Sequence, residues 1–168
     1  MRIFFIALGF LISFDAAAHA SPKQVVSPTQ NVPPGSIVIH ARERALYFIR
    51  GDGSAIRYPV AVPKGGKEWS GATRINGKYS QPAWSPPGDV RHDHPELPDV
   101  IAGGDPRNPM GAAAITLEKS EIAIHGTAAK MRKSIGTAAS YGCIRMYNED
   151  VLDLYNRVSV GALVIMQR

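Results

Sequence analysis

Cys143 is the only cysteine in this 168-residue chain, and it lies in the run Ser140-Tyr141-Gly142-Cys143-Ile144-Arg145. A lone cysteine cannot close an internal disulfide, so the thiol is an inert core residue, an intermolecular partner or a nucleophile. His125 follows a short apolar stretch 18 positions earlier and is itself followed by Gly126 and Thr127. That separation leaves room for a short helix and a return loop, which would bring imidazole and thiol together. The imidazole can then take the thiol proton, because the thiolate is the attacking species, and later return a proton to a departing amine. From the residues alone, an idle buried cysteine and a structural histidine remain open beside the reactive pair.

The neighbours of Cys143 suit acyl chemistry. Gly142 lets the backbone turn sharply beside the thiol. The N–H groups around residues 141–143 can face a carbonyl under attack and stabilise its developing negative charge. Arg145, two positions on, can share the cysteine's side and hold a substrate carboxylate through its planar fork of donors. It can equally brace the loop against Asp150 or Asp153.

These residues need strands to position them. Ser36–His40, Ala45–Ile49 and Ala55–Val62 read as strands, with a tight turn at Gly51-Asp52-Gly53. Residues 71–79 read as a strand pair or one long bent strand. Residues 63–111 hold eight of the thirteen prolines, and 85–111 reads as a long ordered loop of the kind that lines clefts. Strands are expected at 112–117, 121–124 and 162–166. A short helix is expected at 128–133, and a better one at 149–158 with Asn148 as its cap. The chain is thus mostly β, with few helices and no internal repeat.

The N-terminus reads as an export signal. Met1-Arg2 precedes ten apolar residues, 3–12, and Ala18-His19-Ala20 supplies small residues before Ser21. Ten apolar residues fall short of the roughly 20 a membrane span needs, so residues 1–20 are expected to be removed. Residues 21–34 read as a linker and 35–168 as a single domain. Stable membrane insertion after signal removal is not expected. The net charge of +5 suits a partner with acidic groups, including a cell-envelope polymer. No zinc-finger spacing, dense basic run or aromatic-basic repeat points to nucleic acid. His92-Asp93-His94, with Glu96 and Asp99, matches no strong metal motif and reads as cleft wall or solvated loop. Lys64-Gly65-Gly66-Lys67 is too short for a phosphate loop and reads as a surface turn.

His125-Gly126-Thr127, then Ser140-Tyr141-Gly142-Cys143-Ile144-Arg145-Met146, Asn148 and Asp150, resemble the signature of the L,D-transpeptidase catalytic domain, the YkuD-like family of bacterial cell-wall enzymes. Asn108-Pro109-Met110-Gly111 and Trp84-Ser85-Pro86-Pro87 are similar to two further family stretches, so the resemblance covers residues 35–168. It implies a β-sandwich-like catalytic fold with short helices. It also implies Cys143 as nucleophile, His125 as general base and acid, and the Gly126 backbone carbonyl as the group orienting the imidazole. Gly142 would supply the turn and an oxyanion N–H, with Tyr141, Arg145, Ser140 and Thr127 at the substrate. No metal or organic cofactor is implied.

The implied substrate is a peptidoglycan tetrapeptide stem. Cys143 would attack the L-centre carbonyl of diaminopimelate, expel D-alanine and form a thioester. An amine from a second stem would give a 3→3 cross-link, an amine of an envelope protein would give anchoring, and water would give carboxypeptidase trimming. Acylation by carbapenems and a place in the periplasm or cell envelope follow from the same resemblance. A noncatalytic wall-binding module and a generic thiol peptidase are the alternatives. One departure is plain: the family commonly has His or Arg before Gly-Cys, and this chain has Tyr141, which can donate a hydrogen bond but is not cationic at neutral pH.

Overall fold

The computed structural model describes residues 24–26 and 32–168. Within them lie strands β1 (Gln24–Val26), β2 (Ile37–His40), β3 (Ala45–Ile49), β4 (Ala55–Pro59), β5 (Val62–Pro63), β6 (Gly71–Ser80), β7 (Ala113–Leu117), β8 (Ala123–His125), β9 (Ala138–Ser140), β10 (Ile144–Arg145) and β11 (Leu163–Gln167). Two α-helices, α1 (Gly88–Asp93) and α2 (Asn148–Arg157), and a 3₁₀ helix (Ala129–Ser134) complete the set. The expected signal segment, 1–20, lies outside the described residues. Part of the expected linker, 24–26, adds a strand antiparallel to β4.

Nine strands form one curled sheet in the order β1-β4-β3-β2-β11-β6-β7-β8-β10, and β5 pairs with β9 separately. β6 is the hinge of the sheet. Its first half pairs with β11 and its second with β7, with a register shift between Ile75 and Gly77. A bulge of this kind bends a strand and increases its twist. The long bent strand, rather than the strand pair, is therefore the form residues 71–79 take. β11 pairs in parallel with β2, which lets the last strand enter the sheet interior.

Ile37, Ile39, Leu46, Phe48, Ile56 and Tyr58 from one half of the sheet share a single core with Ile75, Ile115, Leu117, Ile124 and Ile144 from the other. The period-2 alternation of strands puts these residues on the inner face. α2 closes that core through Val151 and Leu154, with Val158 just beyond its end. Ten residues are too few for an isolated helix. Burying these three side chains, at about 1.5–3 kcal/mol each, is what holds α2 in place.

Residues 85–111 are not wholly irregular, because Gly88–Asp93 forms α1. A reciprocal bridge between Trp84 and Ile101 closes the base of this segment. Asn108, 2% exposed, fastens it: Nδ2 donates to the carbonyls of Pro82, Ile101 and Ala102, and Oδ1 accepts from Met110 N. A long loop whose ends meet and whose interior carries its own hydrogen bonds is an Ω-type element.

Candidate active site

The candidate pair, Cys143 and His125, is placed by two short parallel strands. β8 and β10 pair with Ile124 opposite Ile144 and His125 opposite Arg145. The side-chain alternation of strands then sets His125 and Arg145 on one side, with Cys143, just before β10, on that same side. The positive charge of Arg145 acts on both His125 and Cys143, as that placement requires. Arg145 also pairs its backbone reciprocally with Ala61 and donates a long hydrogen bond, 3.4 Å, to Ser134 Oγ. Asp153, one of its expected braces, accepts instead from Tyr58 and Arg157.

His125 is 2% exposed. Its Nδ1 lies 2.7 Å from the carbonyl oxygen of Gly126. A carbonyl only accepts, so Nδ1 carries the hydrogen and Nε2 is left as the basic atom. Burial first, and the Arg145 charge second, lower the imidazole pKa to about 4, against the Gly126 and Pro109 carbonyls, which favour the protonated ring. The ring is therefore neutral near pH 7.

Cys143 is half-buried. Burial raises its thiol pKa, and the Ala123 N–H and the Arg145 charge oppose that rise. Sγ donates to the Glu121 carbonyl at 3.5 Å. Among the described residues the thiol thus bonds to the turn before β8 and not to the imidazole. Thiol and ring share a face of β8–β10 but are each held by backbone, in a neutral resting state.

The cysteine turn is tightly braced. Gly142 has φ of +130°, a region that side chains rarely adopt, and a Cβ there would press on Ile122. Trp69 Nε1 donates to the Gly142 carbonyl at 2.9 Å. Ser140 Oγ donates to the Cys143 carbonyl at 2.5 Å and accepts from Gly142 N at 3.3 Å. One of the N–H groups expected to receive an oxyanion is therefore occupied by Ser140. Ser140 and Thr127, both expected at the substrate, are 1% and 2% exposed, so both are part of the wall behind the reactive face.

Tyr141 points outward to the long loop. Its hydroxyl donates to Asp93 Oδ2 at 2.6 Å, and Lys64 Nζ lies 3.6 Å from its ring centroid. Lys64 also lies 3.7 Å from Asp93, and Lys67 pairs with Asp89. His94 meets the Tyr141 ring edge-on and sits 3.4 Å from Glu96. The expected surface turn and the histidine-rich loop thus meet at Tyr141. Behind Trp69 opens a cavity of about 390 Å³ lined by Arg42, Arg44, Arg168, Val62 and Pro63 among others. Neither Cys143 nor His125 lines it.

Asn148 does not cap α2. Tyr147 holds the N-cap position without a side-chain cap bond. The Asn148 amide turns inward instead, where Oδ1 accepts from Ala112 N at 3.1 Å and Thr127 N at 3.0 Å, and Nδ2 donates to Thr127 O at 3.1 Å. Sequence reading also missed Trp69 and the Glu121–Ala123 contacts of the thiol. No local signal marks Trp69, which lies far upstream. The inward turn of Asn148 had a faint signal in Gly111 and Gly126, where a Cβ would overlap Oδ1.

The model of the YkuD L,D-transpeptidase catalytic domain matches residues 34–166. The chain belongs to this family. The probable L,D-transpeptidase YbiS of Escherichia coli is 32% identical over 151 residues, covering 85% of this chain and 47% of that protein. The probable L,D-transpeptidase ErfK/SrfK of Salmonella typhimurium is 33% identical over 151 residues, with the same coverage, 85% and 47%. The chain therefore spans about half the length of the curated relatives it matches. L,D-transpeptidase 3 of Mycobacterium tuberculosis superposes with a TM-score of 0.62 at 17% identity, over 81% of this chain and 62% of that one, and so shares the fold. A Brucella melitensis structure described as a probable carnitine operon oxidoreductase superposes with a TM-score of 0.58 at 37% identity, over 87% of this chain and 93% of that one. The strand-rich class read from the sequence is thus borne out, and the β-sandwich-like fold that the resemblance implied takes the form of one curled sheet. Among the described residues no helix is long and apolar enough to cross a membrane.

Proposed function

We propose that this chain is a cysteine-dependent L,D-transpeptidase acting on peptidoglycan tetrapeptide stems in the cell envelope, after removal of residues 1–20. The observation that supports it best is the β8–β10 register, which sets His125 opposite Arg145, whose charge acts on both His125 and Cys143. The catalytic unit is residues 35–168, preceded by a linker from 21.

The resting groups are neutral, so the reaction starts with proton transfer. The thiol leaves the Glu121 carbonyl and gives its proton to Nε2 of His125. Arg145 favours the thiolate. Sγ attacks the L-centre carbonyl of diaminopimelate, and an S–C bond forms. The C–N bond to D-alanine breaks, and the imidazolium returns its proton to the departing amine. The acceptor amine then attacks the thioester and yields its proton to His125. The C–S bond breaks and Cys143 regains a proton. A second stem as acceptor gives a 3→3 cross-link, and a protein amine gives anchoring. Water gives trimming to the tripeptide. The thioester step is common to all three, and no organic cofactor or metal enters it.

The test is mass spectrometry of the chain incubated with purified disaccharide-tetrapeptide, with Cys143→Ala alongside. Loss of D-alanine with a 3→3 dimer, both absent in the variant, is the expected result. Tripeptide alone would favour trimming. The absence of both thioester and product would reject the proposal.

A further inference from the structure

The His125 ring is oriented by a peptide bond, and that peptide has two ends. The Gly126 carbonyl receives Nδ1–H of His125. The N–H of the same peptide unit belongs to Thr127 and donates to Asn148 Oδ1 at 3.0 Å. A trans peptide is planar, with C=O and N–H opposed, so fixing one end fixes the other. Donating the N–H also polarises the carbonyl it is conjugated to, and chains of hydrogen bonds strengthen one another in a buried setting.

The surroundings are built to receive this amide. Asn148 Nδ2 donates to the Thr127 carbonyl, so both polar ends of the side chain are engaged on residue 127. Oδ1 also accepts from Ala112 N, which ties the approach to β7 to the exit from β8. A Cβ at Gly111 or Gly126 would occupy the space Oδ1 fills. The two glycines therefore leave room for Asn148. α2 supplies the rigid mount, docked on the core through Val151 and Leu154.

We infer that Asn148 is a positioning residue for His125, holding the Gly126–Thr127 peptide so that its carbonyl keeps Nδ1 protonated and Nε2 free. The inference rests on the proposed role of His125 for its catalytic consequence, but its structural content stands apart from that role. Helix capping would predict a stability effect only. Positioning predicts a change in the imidazole itself.

The experiment is ¹⁵N NMR of the histidine rings in the full chain, with His125 assigned through His125→Gln. Asn148→Ala and Asn148→Asp are compared with the parent chain, and acylation of Cys143 by a carbapenem is followed by mass in the same samples. The parent should show the Nδ1–H tautomer at His125. Asn148→Ala should populate both tautomers and acylate on the order of tenfold or more slowly, with kcat on tetrapeptide falling and KM little changed. Asn148→Asp retains an acceptor for Thr127 N and should recover most of the tautomer preference. A folded Asn148→Ala with the parent tautomer and rate would overturn the inference. If Asn148→Ala does not fold, Asn148→Asp decides: loss of the tautomer with the acceptor retained would also overturn it. A tautomer change in Asn148→Ala without acylation in any sample would leave the positioning role standing and reject the proposed function instead.

Discussion

The floor and the rim of the site are held by different forces. The floor joins His125, Gly126, Thr127, Asn148 and the Gly142 turn through buried backbone groups and side-chain amide and indole donors. The rim joins α1 to the 64–67 turn and Tyr141 through charged pairs, Lys64–Asp93 and Lys67–Asp89, and one hydroxyl–carboxylate bond. Buried hydrogen bonds are costly to lose because the orphaned partner stays desolvated. Exposed ion pairs contribute little and weaken in salt. The candidate site is thus mounted on buried hydrogen bonds, and the loop beside it on exposed ion pairs.

The sharpest way to break this contrast is a single methyl group. Gly126→Ala should destabilise the fold by about 3 kcal/mol or more in a denaturant titration, because the new Cβ overlaps the hydrogen-bonded Asn148 amide and presses on the backbone of Ala112 and Met110. Gly88→Ala, on the rim, has nothing within 4 Å to meet, and its midpoint should stay within error of the parent.

The next largest effect is a pH dependence of the floor. The pKa of His125 is lowered to about 4, against about 6.5 in the unfolded chain. Between those values the unfolded chain binds the proton and the native chain does not. The His125 contribution to stability therefore falls as pH drops from about 6.5 to about 4 and levels off below. The loss at full extent is on the order of 3 kcal/mol. Urea titrations of parent and His125→Gln across this window should differ in slope, with the variant the flatter.

A smaller effect concerns the thiol. Burial holds the Cys143 pKa above its ordinary value while Arg145 opposes it. Alkylation by iodoacetamide should rise with pH, and Arg145→Leu should move that profile to higher pH. An unmoved profile would remove Arg145 from the floor's electrostatics. The smallest effect belongs to the rim. Tyr141→Phe deletes the bond to Asp93 and should leave the denaturation midpoint near the parent's. Amide exchange in residues 88–94 should quicken several-fold, with exchange in 123–127 unchanged. Added salt should act on the parent in the same direction.

Tyr141 also shows how a departure from family pattern is absorbed. As a neutral residue it places no charge beside Cys143, but Lys64 lies over its ring and Asp93 takes its hydroxyl. Sequence spacing could not show this. Lys64, Asp93 and Tyr141 come from three distant segments, and only the closing of the 84–101 bridge brings the second to the third. Asn148 failed differently. Polar residues before an amphipathic helix are common caps, so local reasoning chose that role. The vacancy left by two glycines, one 37 positions upstream and one 22, drew the amide inward instead. α1 was missed because Pro86, Pro87 and Pro95 flank it and only six residues are helical.

The sequence by itself determined the strand-rich class, the family and the identity of the two candidate reactive residues, because each is written in local composition or in one short motif. Only the tertiary structure decided how they are held. The thiol's resting partner, the imidazole's tautomer, the bend at Ile75–Gly77 and the anchoring of the rim all depend on contacts between segments far apart in the chain. Such contacts are set by which backbone groups remain unpaired after the sheet closes, and no local pattern records that.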